Sequence, residues 1–122
     1  MIISIFAIGY AILSIILGAF VQHGLQDVLS KDQLHTLQIA ARYLFYHAIP
    51  VLMLVLTQAT WQWPRFLPWL FIGTCAVFSG SLLGLVMTGQ RLFAYATPLG
   101  GLGLLISWGV WGWILYRKSS YT

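Results

Sequence analysis

The chain has 122 residues, 60% of them hydrophobic and 7% charged, with a formal net charge of +4 at neutral pH. So little polar surface cannot coat a soluble globule, which excludes a water-soluble enzyme or binding domain and leaves a membrane protein. The basic residues stand singly apart from the pair Arg117 and Lys118; without a basic stripe there is no nucleic-acid footprint, and anionic lipid headgroups are the fitting partner.

At about 20 residues per crossing, this length accommodates about four transmembrane helices with short connections in a single domain, residues 1–122. The first apolar run predicts a span over residues 2–21. It has no basic n-region and "LGAFVQHG" offers no A-x-A cleavage site, so a retained helix is expected rather than a cleaved signal. Ser30 followed by Gln33 is a capping-box pattern, which predicts a second helix over 33–59, amphipathic at first and then wholly apolar. Trp61, Trp63 and Pro64 predict a short turn at headgroup level, where indole rings partition. A third span is expected over 66–88, with Cys75 inside it as a small apolar filler that has no partner for a disulfide. "GQRLFAYATP" reads as a connection, and the fourth span as residues 99–116, followed by the basic, polar tail "YRKSSYT". The fold class is all-α, an integral membrane four-helix bundle. Arg65, Arg117 and Lys118 fall on one side and Lys31, Arg42 and Arg91 on the other; if Arg42 lies within the helix, the balance puts both termini on the cytoplasmic or matrix side.

Lipid provides no hydrophobic drive between helices, so close contact between small residues must supply much of the cohesion. Ala7, Ala11, Ser14 and Gly18 recur at helical spacing in the first span, and Gly73, Ala76, Gly80 and Gly84 in the third. The fourth carries Gly100, Gly101, Gly103, Ser107, Gly109 and Gly112. Gly18, Gly80, Gly84, Gly100 and Gly101 are therefore expected at helix interfaces, with Gly80 to a bulky residue as the informative substitution.

The stretch "LFYHAIPVLMLVL" sets His47 and Pro50 in an otherwise apolar run. Arg42 and Tyr46 lie about 40° apart on a helix, as do Tyr43 and His47, which predicts one polar sector with His35 further outward. Intramembrane ionisable groups are costly and face the interior, pair or mark function. Arg42 is expected to snorkel and His47 to be a neutral imidazole bonded to a hydroxyl or carbonyl, with Ser79, Ser81 and Thr97 as candidates. Pro50 should bend the helix and leave the Tyr46 carbonyl without its usual donor. The alternative is that Arg42 and His47 line a cavity for an anion, a proton or a quinone headgroup.

Catalysis finds no footing. Asp27 and Asp32 are the only acids, and both fall in the first loop. His23, His35 and His47 are too dispersed for one metal ion, and neither H-x-x-x-H nor C-x-x-C occurs, so neither metal nor cofactor is expected. The expectation is a non-enzymatic membrane protein that supports membrane integrity or serves as an accessory subunit of a larger complex. Its partners would be lipids, a larger membrane protein complex or further copies of itself. The alternative is a small transporter, channel or quinone- or anion-binding subunit built on Arg42 and His47.

Taken together, "GAFVQHGL" at 18–25, "AARYLFYHA" at 40–48, "FSGSLLGLVMTG" at 78–89 and "TPLGGLG" at 97–103 resemble, in order, the YgdD-type family of small inner-membrane proteins. The resemblance implies a four-helix membrane fold in the cell's inner (plasma) membrane, without assigned chemistry. In one staphylococcal relative the family is associated with membrane stability. The matching polar positions are His23, Arg42, Tyr43, His47, Ser79, Ser81, Thr88, Thr97 and Pro98. Gln22 departs from the family pattern, which more often has a small residue there.

Overall fold

A computed structural model describes residues 1–120, so Tyr121 and Thr122 at the end of the expected polar tail lie outside the described residues. Helix α1, Ile2–Ala19, contains no charged side chain and runs into a π-helical turn, Phe20–Gly24. Leu25 N–H closes that wide turn on the Phe20 carbonyl at 2.9 Å. Helix α2, Lys31–Leu56, starts with both bonds of the capping box: Gln33 N–H to Ser30 Oγ at 3.2 Å and Ser30 N–H to Gln33 Oε1 at 3.0 Å. Together these satisfy two donors that the first helical turn would otherwise leave open, and Asp32 sits at the positive end of the dipole. The helix continues through Pro50. A single turn, α3 at Gln58–Trp61, then gives way to Gln62 in the left-handed region, which reverses the chain.

Helix α4, Phe66–Thr88, ends on Gly89 at φ 69°, where a side chain would be strained, and its N–H caps the Leu85 carbonyl. Helix α5 then runs from Arg91 to Ser119, so "RLFAYATP" is helical rather than a connection. Pro98 removes only one backbone donor, and Thr97 Oγ1 bonds the Phe93 carbonyl at 3.0 Å beside the gap. Once Gly89 and Gln90 have reversed the chain, nothing between Arg91 and Thr97 has turn chemistry to stop a helix.

Helices α1, α2, α4 and α5 are long and apolar enough to cross a membrane. Helix α2 is central, with 44% of its span buried against 11% for α1. It packs on both α1 and α4, which also touch each other, while α5 packs on α4. Side-chain bonds to backbone fix these registers. Ser14 Oγ donates to the Ala41 carbonyl at 2.7 Å, Ser79 Oγ to the Ala40 carbonyl at 3.0 Å, and Tyr10 Oη to the Ile72 carbonyl at 2.7 Å. Ala40 and Ala41 are buried and let both neighbours come close to the α2 backbone.

The α4/α5 pair closes by setting small residues against large ones. A Cβ on Gly100 would come within 2.5 Å of Phe78 N, and one on Gly84 within 2.6 Å of the Phe93 ring. Gly101 meets the Phe78 ring at ordinary contact distance. Between these levels Ser81 Oγ and Thr97 Oγ1 share a 2.6 Å bond. Gly18 and Gly80 do not take the expected interface positions: a Cβ on either meets nothing within 4 Å, because Gly80 is on the exposed face of α4 and Gly18 lines a groove. Near the chain termini the bundle is shut by a core of Ala7, Val51, Leu54, Trp63, Phe71 and Trp111. There Lys118 Nζ donates to the Trp61 carbonyl and lies 5.3 Å over the Trp63 ring.

Gly100→Val should force α4 and α5 apart and cost about 1–3 kcal/mol, the range for overpacking a tight core, whereas Gly80→Val should leave the unfolding midpoint in detergent nearly unchanged. With Arg42 inside α2, the flanking basic residues favour the side that holds Arg65, Arg117 and Lys118 as cytoplasmic. A C-terminal fluorescent-protein fusion should fluoresce, and the matching alkaline phosphatase fusion should be inactive.

Candidate functional site: two grooves flanking the central helix

The polar sector expected on α2 is divided in the structure between two grooves. Tyr43 and His47 turn toward α5, Arg42 turns toward α1, and Tyr46 lines both grooves. The division follows from packing: α2 contacts both α1 and α4, and Arg42 lies about 100° from Tyr43 and about 140° from His47 around the helix, so they face different partners.

The groove on the α5 side exists because α2 and α5 both pack on α4 while their own backbones stay apart, joined by side chains such as His47 and Trp108. It encloses about 540 Å³, and Phe78 of α4 lines it together with Gly101, Leu104 and Trp108 of α5. His47, only 5% exposed, spans the gap. Its Nδ1 is 2.7 Å from the Tyr43 carbonyl, and its Nε2 is 3.2 Å from Trp108 Nε1. A carbonyl can only accept and an indole N–H can only donate, so these partners select the neutral tautomer with the proton on Nδ1. Both ring nitrogens are thereby used. The imidazole bonds neither Ser79, Ser81 nor Thr97, and it serves the Tyr43 carbonyl rather than the Tyr46 carbonyl freed by Pro50.

The remaining interior hydroxyls are committed in the same way: Ser79 to α2, Ser81 to Thr97, and Ser107 both to the Gly103 carbonyl and to Thr74. Cys75 Sγ lies 3.5 Å from the Tyr43 carbonyl, so that one oxygen ties α2 to α4 as well as holding His47. Trp111 Nε1 is buried without a hydrogen-bond partner among the described residues; its ring meets Trp63 and Phe71 edge to face.

The groove on the α1 side encloses about 420 Å³ between Ser14, Gly18 and Gln22 on α1 and its π turn and Gln38, Ala41, Arg42, Phe45 and Tyr46 on α2. Arg42 is exposed there and makes no hydrogen bond or ion pair among the described residues. His23 is exposed in the π-helical turn and His35 on the outer part of α2, so the three histidines do not converge. No group of three His, Cys, Asp or Glu among the described residues could hold a metal ion.

Two partners escaped the sequence reading. Trp108 is sixty-one positions from His47, and nothing local in either segment announces that contact. Gln38 was detectable, because it lies one turn before Arg42 on the same helix face.

The comparisons agree with this architecture. The model of the family described as "Protein of unknown function (DUF423)" matches residues 17–101. A UPF0382 membrane protein of Staphylococcus epidermidis is 33% identical over 102 residues, covering 80% of this chain and 81% of that protein. The UPF0382 membrane protein YwdK of Bacillus subtilis is 31% identical, with 80% and 82% covered. The UPF0382 inner membrane protein YgdD of Escherichia coli is 31% identical over 111 residues, with 87% and 82% covered. No solved structure matches the chain. With four membrane-length helices and these relatives, the chain is a multi-pass inner-membrane protein and belongs to the DUF423 family.

Proposed function

We propose that this is a non-enzymatic membrane protein whose helices form a scaffold that supports membrane integrity or serves as an accessory subunit of a larger membrane complex. The observation that carries the reading is the full commitment of His47, which bonds the Tyr43 carbonyl through Nδ1 and the Trp108 indole through Nε2. A histidine that exchanges protons or holds a ligand needs at least one ring nitrogen available to it. The buried serines behave alike, spending their hydroxyls on backbone carbonyls or on other helix hydroxyls. The rival assignment of His47 to transport or quinone binding would require breaking the only side-chain bond that spans the groove between α2 and α5 among the described residues.

Removing either end of that bond tests the proposal. His47→Ala and Trp108→Phe should each lower stability in detergent by about 1–2 kcal/mol, the upper range for interhelical hydrogen bonds in membranes. The double variant should lose little more than the worse single one, since both delete the same bond. Mass spectra of the purified wild type should show no copurifying metal or quinone. Unchanged stability, with a small molecule present in wild type and missing from His47→Ala, would make the groove a binding site and end the scaffold reading.

A further inference from the structure

Arg42 raises a separate problem. It lies one turn inward of Gln38, in a groove open to the side of the bundle, with no carboxylate to neutralise it. Asp27 and Asp32, the chain's only acids, belong to the loop and the first turn of α2 and do not line this groove. An unpaired cation within a membrane-spanning helix is costly unless it reaches water or finds an anion.

The groove is built in two parts. Its polar end carries the amides of Gln22 and Gln38 beside Arg42, and its deeper walls are Gly18, Ala41, Phe45 and the ring of Tyr46. Donors above and apolar walls below match a lipid headgroup with the start of its acyl chains. Lys31, His35, Gln38, Arg42 and Tyr46 fall within about 80° of one another around α2 and make a polar path, with cations at Lys31 and Arg42, from the helix start to the groove. Lys31, His35 and Arg42 are all exposed, and the positive end of the α2 dipole adds to the same field. Gly18 keeps the floor clear, since a Cβ there meets nothing within 4 Å.

We propose that the groove between α1 and α2 binds the phosphodiester of an anionic phospholipid, with Arg42 as the cationic anchor and Gln22 and Gln38 as additional donors. Arginine suits this role because its planar fork can offer two parallel N–H bonds to phosphate oxygens. The anionic class is favoured because the groove contains no carboxylate to receive the ammonium of a zwitterionic headgroup. The assignment goes beyond the scaffold reading and does not depend on the state of His47, which faces the other groove.

The test is native mass spectrometry of delipidated wild type, Arg42→Gln, Gly18→Leu and Arg91→Gln, titrated with phosphatidylglycerol, phosphatidylcholine or inorganic phosphate. Helix content and elution volume first establish that each variant is folded. Wild type should retain phosphatidylglycerol in preference to phosphatidylcholine, and Arg42→Gln should bind it about tenfold more weakly or worse, the effect of losing a charged hydrogen bond. Gly18→Leu, which keeps the arginine and fills the floor, should lose the lipid as well. Arg91→Gln, an exposed charge at the start of α5, should bind as wild type does. Equal losses in the Arg42 and Arg91 variants would reduce the effect to general surface charge and overturn the site. So would retention of lipid by Gly18→Leu, equal binding of phosphatidylcholine, or full competition by inorganic phosphate alone.

Discussion

Within a bilayer the side chains of a helix are as comfortable against lipid as against another helix, so association depends on contacts that lipid cannot imitate. In this protein the decisive ones are made to the backbone of α2. Ser14 from α1 and Ser79 from α4 donate to the carbonyls of adjacent residues, Ala41 and Ala40. A short side chain must come close to reach a carbonyl already engaged in a helix, and only alanine-sized neighbours permit that approach. The hydrogen bonds and the small residues are therefore one device: each requires the other, and together they place α1 and α4 about a common central helix.

The two grooves are consequences of that placement. A helix that holds both α1 and α4, with the backbone of α5 close only to that of α4, leaves an opening toward α5 and another along the edge of α1. His47 and Trp108 bridge the first opening, and the aromatic contacts among Phe71, Trp108 and Trp111 continue the bridge toward the closed end. The Ser14–Ala41 bond joins the walls of the second but leaves Arg42 without a partner among the described residues. The same helix thus presents to one groove a histidine with both ring nitrogens bonded, and to the other an arginine with no bonded partner among the described residues.

Much of this was legible in the sequence, and the gaps have identifiable causes. The existence of the spans followed from hydrophobic length, and the start of α2 from the reciprocal chemistry of Ser30 and Gln33. The start of α5 did not, because Pro98 resembles a boundary when read locally, although a helix sustained by its neighbour tolerates the loss of one donor. Glycine spacing identified Gly84 and Gly100 at tight contacts but could not separate them from Gly80, since an apolar stripe facing lipid has the same composition as one facing a helix. Pairing Arg42 with Tyr46 and Tyr43 with His47 at about 40° each merged two pairs into one sector, although Arg42 and His47 lie about 140° apart around the helix and so lead into different grooves.

The π-helical turn at Phe20–Gly24 has a further consequence. A π turn holds one residue more than the α turn it replaces, so it takes up a change in chain length within a continuous helix. The Ser14 contact lies upstream of it, and the loop to Ser30 lies downstream. The turn therefore works as an expansion joint: a residue gained or lost in the connection can be absorbed there by winding or unwinding one turn, while the register between α1 and α2 stays locked. The loop is thereby free to diverge in sequence and length without disturbing how the two helices meet.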